Sequence, residues 1–209
     1  MKVIYGGHWD NPPEGWVSIP EDEQDLTLSL KQTQDSVDCI FTEHVGEHLS
    51  MNDCIWFMRE SLKCLKKGGV FRIAMPCIDK IIQLKNDTFG KHYSDIQTKH
   101  YYPNEDSILK ELGLEGIREE PIAFMMDSLF KGHHHKFIWT SELCKKVLQK
   151  VGYSEVYVQE PGETNFNKEY CLERVLRGAN EDYLRKEFKI KSDGVIKFDP
   201  ETMVIEAKK

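Results

Sequence analysis

Residues 37–75 read VDCIFTEHVGEHLSMNDCIWFMRESLKCLKKGGVFRIAM. Three patterns follow one another in this stretch. Val37-Asp38-Cys39-Ile40-Phe41 is β-branched and aromatic, which predicts a strand. Met51 to about Leu65 repeats apolar residues at Ile55, Met58, Leu62 and Leu65, the spacing of one helical face. Ser50 can cap that helix, Asp53 suits its first turn, and Lys66-Lys67 suit its carboxyl end. Gly68-Gly69 are expected to stop it. Val70-Phe71-Arg72-Ile73-Ala74-Met75 is apolar almost throughout, as in a strand covered on both faces of a parallel sheet. Strand, helix and strand in this order make a βαβ unit, whose crossover is right-handed.

The pattern continues outward. Lys2–Tyr5 and Trp16–Ile19 are short strands around a loop, with Gly6-Gly7 after the first and Pro20 after the second. Leu26–Leu30 is a weak edge strand. Pro76 ends the central strand, and Ile78–Lys85 can form a helix. Thr140 caps a helix over Ser141–Val151, with Leu143, Val147, Leu148 and Val151 as its apolar residues and Gly152 as its stop. Glu155–Gln159 and Met203–Ala207 are strands, and residues 168–190 are charged and helical in parts. Strands and helices alternate, so the fold class is α/β with a mostly parallel sheet. Residues 87–132 show no single period and read as an insertion with short helices in an otherwise single domain spanning 1–209.

Bulk properties narrow the function classes. The chain has 209 residues, a net charge of −7 and 40% hydrophobic residues, enough for one domain with a sizeable core. The acidity disfavours a protein that grips the phosphate backbone of nucleic acid. No apolar run reaches the length of a membrane span, and the first residues reach Gly6-Gly7 too soon for a signal-peptide core. The reading is a cytoplasmic protein. Its six cysteines contain no CxxC pair and sit in apolar surroundings, as buried reduced thiols do.

Within the opening stretch, His44-Val45-Gly46-Glu47-His48 spells H-x-x-E-H, the inverted zinc-peptidase spacing. That chemistry needs both histidines on one face of a continuous helix. Here the motif follows a strand and contains Gly46, so it reads as a strand-to-helix turn. A zinc hydrolase built on His44, Glu47 and His48 stays as an alternative.

Several segments together resemble the class I S-adenosylmethionine-dependent methyltransferases. Asp35-Ser36-Val37-Asp38-Cys39-Ile40 followed by Glu43-His44 resembles that superfamily's "D-S-V-D-x-I … E-H" segment. Leu62-Lys63-Cys64-Leu65-Lys66-Lys67-Gly68-Gly69 resembles its turn into the fifth strand, and His135-Lys136-Phe137 … Leu143 … Val151-Gly152-Tyr153 its later "H-x-F … L … A-G-F" segment. The front, Val3–Gly7 and Gly15–Ile19, resembles a type 11-like subgroup with a shortened first glycine loop. The resemblance implies a Rossmann-like three-layer αβα fold whose seven-stranded sheet has an antiparallel last strand. It implies the cofactor S-adenosyl-L-methionine, held by Tyr5, Gly6, Gly7, Glu21, Asp22, Asp25, Leu26 and Glu43. His44, Glu47, His48 and His135 would be the catalytic residues, and 87–132 a lid that selects the substrate. The implied reaction is methyl transfer to a small-molecule or sugar acceptor, through oxygen. Some O-methyltransferases of the superfamily bind a divalent metal through Glu-x-x-Glu-His here. His44 replaces the first Glu, which favours a softer metal than magnesium if any binds, and no metal ligand set is assigned. His8 and Pro20 stand where a glycine and an acidic residue are usual, so a non-catalytic binding module with the same fold is a second alternative. A nicotinamide dehydrogenase is a distant third, because G-x-G-x-x-G is absent.

Overall fold

The computed structural model describes residues 1–6, 11–85, 111–113, 121–131, 133–173 and 200–209. Six strands form one sheet: β1 (Lys2–Tyr5), β2 (Trp16–Ile19), β3 (Val37–Glu43), β4 (Leu65–Pro76), β5 (Glu155–Gln159) and β6 (Thr202–Lys208). Their order is β2-β1-β3-β4-β6-β5. The first four run parallel, and β6 lies antiparallel between β4 and β5. This is a mostly parallel α/β sheet of Rossmann type with an antiparallel last strand. Among the described residues four α-helices accompany it: α1 (Met51–Cys64), α2 (Ile78–Leu84), α3 (Pro121–Lys131) and α4 (Ser141–Val151).

The βαβ unit forms as its residue pattern predicts, with a shift in detail. Ser50 Oγ accepts from Asp53 N and caps α1. The buried residues of α1 are Cys54, Phe57, Met58, Glu60, Ser61 and Cys64, while Ile55 and Leu62 lie half-buried at the margin. Three of them are small cysteine and serine side chains, and a count of large aliphatics alone misplaces the stripe. The helix ends at Cys64, before the two glycines. Those glycines belong to β4, where the register jumps from Val37↔Leu65 to Cys39↔Val70 and Lys66–Gly69 bulge outward. Gly68 has φ +81°, and a Cβ on Gly69 would lie 2.9 Å from the Lys66 carbonyl oxygen.

The weak edge strand at Leu26–Leu30 does not form, so the sheet has six strands among the described residues rather than seven. Turn chemistry takes its place. Asp25 Oδ1 accepts from Thr27 N at 2.8 Å and Thr27 Oγ1 at 2.7 Å, which closes a local turn. The buried Gln24 amide donates to the carbonyl of Asp25 at 2.7 Å and accepts from Lys31 N at 3.1 Å. Side chains thus satisfy backbone groups that a strand ladder would have used.

The helical face of the sheet carries the main core. Val3, Tyr5, Ile40, Phe71, Ile73, Met75, Met203 and Ile205 pack with α1 and α4. Phe57 stands edge-on to Tyr5 and Phe71 at ring distances of 5.6 and 5.7 Å. Its complete burial contributes roughly 1.5–3 kcal/mol relative to exposure. In α4 the capping Thr140 accepts from Leu143 N, and the buried residues are Cys144 and Leu148, with Leu143 turned outward. The opposite face of the sheet is covered by residues 160–173, which contain a 3-10 turn at Lys168–Tyr170. The remainder of the charged segment, 174–190, lies outside the described residues, as do 87–110 and 114–120 of the insertion. The described part of the insertion includes α3, whose Leu129 packs on Ile81 and Leu84 of α2.

All six cysteines are unpaired, five of them buried. Among the described residues no helix is long and apolar enough to cross a membrane.

Candidate functional site

The chain leaves β1 toward β2 on one side of the sheet and returns through β3 on the other. The β1–β3 boundary is therefore a topological switch point, and its carboxyl edge is where open α/β sheets take ligands. Tyr5 pairs with Ile19 and Thr42 there, so Gly6, Pro20 and Glu43 end their strands at one level. Gly6 has φ +73°, and a Cβ added to it would meet Val45 Cγ2 at 2.3 Å. Gly6 thus leaves room for Val45 of the loop after β3.

That loop is not a helix. His44 has φ 53°, in the left-handed region. Gly46–His48 form a 3-10 turn, and α1 begins only after Ser50. A Cβ on Gly46 would come within 2.8 Å of Met75 Sδ, so the turn is pressed onto β4. The helical face that the zinc-hydrolase alternative requires is absent from His44–His48, because the backbone reverses hand at His44.

Pressing the turn inward buries Glu47 completely. His44 Nδ1 lies 3.1 Å from Glu47 Oε1, an ion-pair distance outside hydrogen-bond geometry. Neither carboxylate oxygen of Glu47 has a hydrogen-bond partner among the described residues. Burial opposes ionisation of this carboxyl, but His44 and then His135 favour it, and the balance holds it below its ordinary range. His135 arrives from the segment before α4, which docks by Lys136 N and Phe137 N donating to the Glu47 carbonyl at 2.8 and 3.3 Å. Its Nε2 is 4.0 Å from Glu47 Oε1, and its ring stands edge-on to His48 at 4.8 Å. Burial lowers the His135 pKa to about 4, against the opposing pull of Glu47. His133 stacks on His135 at 5.3 Å.

The structure thus gathers His44, Glu47, His48 and His135, the four residues the resemblance implied for catalysis. The implied cofactor residues divide, with Gly6 and Glu43 at the carboxyl edge. Glu43 is buried at the end of β3, and Glu21 and Asp22 are exposed in the turn after β2. Two of these side chains turn into the core. Tyr5 is fully buried against Phe57 and bonded through its hydroxyl to Gln32, and burial pushes its pKa well up. Leu26 is likewise part of the main core. Both point to the helical layer because alternation along β1 and the Asp25 turn send them there. Asp25 is exposed, and its carboxylate is held low by the Thr27 hydrogen bonds of its own turn. Gly7 and His8 lie outside the described residues.

No protein-family model matches the chain, and no curated protein sequence matches it. Solved structures do resemble it. A SAM-dependent methyltransferase from Archaeoglobus fulgidus is 17% identical, over 100% of this chain and 86% of that one, with a TM-score of 0.48. One from Mesorhizobium loti is 13% identical over 100% and 90%, with a TM-score of 0.48. One from Thermotoga maritima is 12% identical over 99% and 81%, with a TM-score of 0.47. The strand order itself carries the fold assignment: this chain has a Rossmann-like α/β fold with the antiparallel last strand that its resemblance to class I methyltransferases implies.

Proposed function

We propose that the protein is an S-adenosyl-L-methionine-dependent methyltransferase acting on a small-molecule or sugar acceptor. The observation that carries this reading is the switch point between β1 and β3, which sets Gly6 and Glu43 at one carboxyl edge beside the His44–His48 turn. The sequence segments that resemble the superfamily lie along this same edge and the strands behind it. Bound there, the cofactor would supply an electrophilic methyl carbon. Glu43, with Glu21 and Asp22, would hold its hydroxyls and positive charge. His44, with Glu47 Oε1 3.1 Å from its Nδ1, would take the acceptor's proton, and in this reading the acceptor atom would be oxygen. His48 and His135 would shape the acceptor side. The insertion 87–132 would act as the lid that selects the acceptor, within a single domain spanning 1–209.

A second reading has its own observation. Tyr5 and Leu26 are committed to the core and Asp25 to its own turn, which suits a binding module that keeps the fold without the cofactor. Calorimetric titration with S-adenosylhomocysteine decides between the two. The methyltransferase reading expects one-to-one micromolar binding, weakened at least about tenfold in Glu43→Ala. No binding up to millimolar ligand would overturn it in favour of the module. Gly6→Val is a poor probe, because Val45 already occupies the space a side chain needs.

A further inference from the structure

We propose that Glu47, His48 and His135 form a binding site for a divalent transition metal of the zinc class. One carboxylate oxygen and one imidazole nitrogen from each histidine can be chosen within 4.8 Å of one another. Two imidazoles and a carboxylate are the donor set of a zinc site that keeps its fourth position open. Imidazole donors also favour zinc, cobalt or nickel over magnesium.

The second observation is the state of Glu47. Its side chain is 0% exposed, and both oxygens lack a hydrogen-bond partner among the described residues. A buried carboxylate without hydrogen bonds is unfavourable, and a cation beside it offsets that penalty. His44 Nδ1 at 3.1 Å and His135 Nε2 at 4.0 Å both approach Oε1, and Oε2 has no hydrogen-bond partner among the described residues.

The donors are also held from two directions. Glu47 and His48 sit in the 3-10 turn wedged onto β4 by Gly46. His135 is fixed to that turn by the backbone bonds from Lys136 and Phe137 to the Glu47 carbonyl. Tetrahedral zinc would bring the donors to about 3.3 Å apart. This is not the H-x-x-E-H arrangement of a zinc peptidase. Glu47 is a ligand here, His44 is outside the set, and the third ligand comes from a distant segment. The site stands on these side chains alone and does not require methyl transfer.

The test uses the full chain, stripped of metal with a chelator and titrated with zinc against a chromophoric competitor. One zinc per chain is expected, with binding about a hundredfold weaker or lost in Glu47→Gln, His48→Ala and His135→Gln. Cobalt(II) should give the intense visible bands of a four-coordinate site in the wild type and lose them in the same variants. Zinc should raise the melting temperature of the wild type but not of Glu47→Gln. If Glu47→Gln fails to fold, His135→Gln and the cobalt spectrum of the wild type carry the test. His134, exposed and outside the set, is the control, and His134→Ala should bind zinc normally. Absence of stoichiometric binding overturns the site. So does binding that survives Glu47→Gln and disappears in His134→Ala, since the surface triplet would then be the ligand. S-adenosylhomocysteine binding by the same preparations separates the two proposals. Zinc without S-adenosylhomocysteine binding leaves this site and removes the methyltransferase reading, and the reverse result does the opposite.

Discussion

On the helical face of β4 the inward residues are Phe71, Ile73 and Met75, all in the main core, while between them on the other face stands Arg72. Arg72 is fully buried. It donates through Nε to Glu173 at 2.5 Å, through Nη1 to Glu206 at 2.9 Å and through Nη2 to the Glu163 carbonyl at 2.9 Å. Glu206 also accepts from Gln159, Thr164 and Asn165 at 2.7, 2.7 and 2.6 Å. One face is therefore closed by helices over an apolar surface. The other is closed by a loop, 160–173, whose backbone and side chains are tied to one guanidinium and one carboxylate. A loop has no apolar stripe to offer, so a saturated ionic network holds it, with Phe166, Tyr170 and Leu172 packed against Ile4, Cys39 and Phe41 beside it.

The largest effects should come from breaking either face at its centre. Arg72→Ala leaves Glu206 and Glu173 buried without their cation, and should lower stability by about 3–5 kcal/mol. A double-mutant cycle with Glu206→Gln in urea unfolding should show strong non-additivity; additive losses would mean the network is not a unit. Phe57→Ala removes a fully buried ring from the helical face and should cost about 3–5 kcal/mol. Combined with Arg72→Ala it should be nearly additive if the two faces are independent, by the same unfolding measurement.

Smaller changes sharpen the contrast. Ile73→Val on the helical face should cost about 0.5–1.5 kcal/mol. Thr140→Ala removes the cap of α4 and should cost about 1 kcal/mol. Thermal unfolding at neutral pH would reveal both. A loss from Thr140→Ala far above this would show that α4 does more than cover the core.

The smallest effect concerns Asp38, half-exposed at the start of β3. Its hydrogen bond from Lys66 at 2.7 Å, then the amino terminus, lowers its pKa below the ordinary aspartate value. A carboxyl depressed in the folded state contributes stability that is present above its unfolded pKa and lost as pH falls through the folded one. The melting-temperature gap between wild type and Asp38→Asn should therefore be small at pH 6 and close below about pH 4. A gap that widened in acid would reverse the assigned direction.

The two faces were not equally legible. The helical layer could be read because α1 and α4 repeat with the helical period and carry their caps, Ser50 and Thr140, at the expected places. Even there the buried stripe of α1 was displaced, since Cys54, Ser61 and Cys64 carry little weight in a count of large apolar residues. The Arg72 network lies between residues 72, 173 and 206, and no local pattern links partners that far apart. Its one trace was a charge inside an otherwise apolar strand. At the site, the local stretch His44–His48 could be singled out, but its meaning depended on backbone hand. The left-handed turn at His44 and the wedge at Gly46 give a buried carboxylate where a helix would have shown a row of ligands.

Local periodicity and turn chemistry, which act over a few residues, determined by themselves the βαβ unit, the parallel strands and the α/β class. Strand order, the bulge at Gly68-Gly69, the turn replacing Leu26–Leu30 and the burial of Tyr5 were decided only when distant segments met. So was the meeting of Glu47 with His135, because burial and charge pairing depend on what the rest of the chain brings to a residue, and that is a property of the packed molecule.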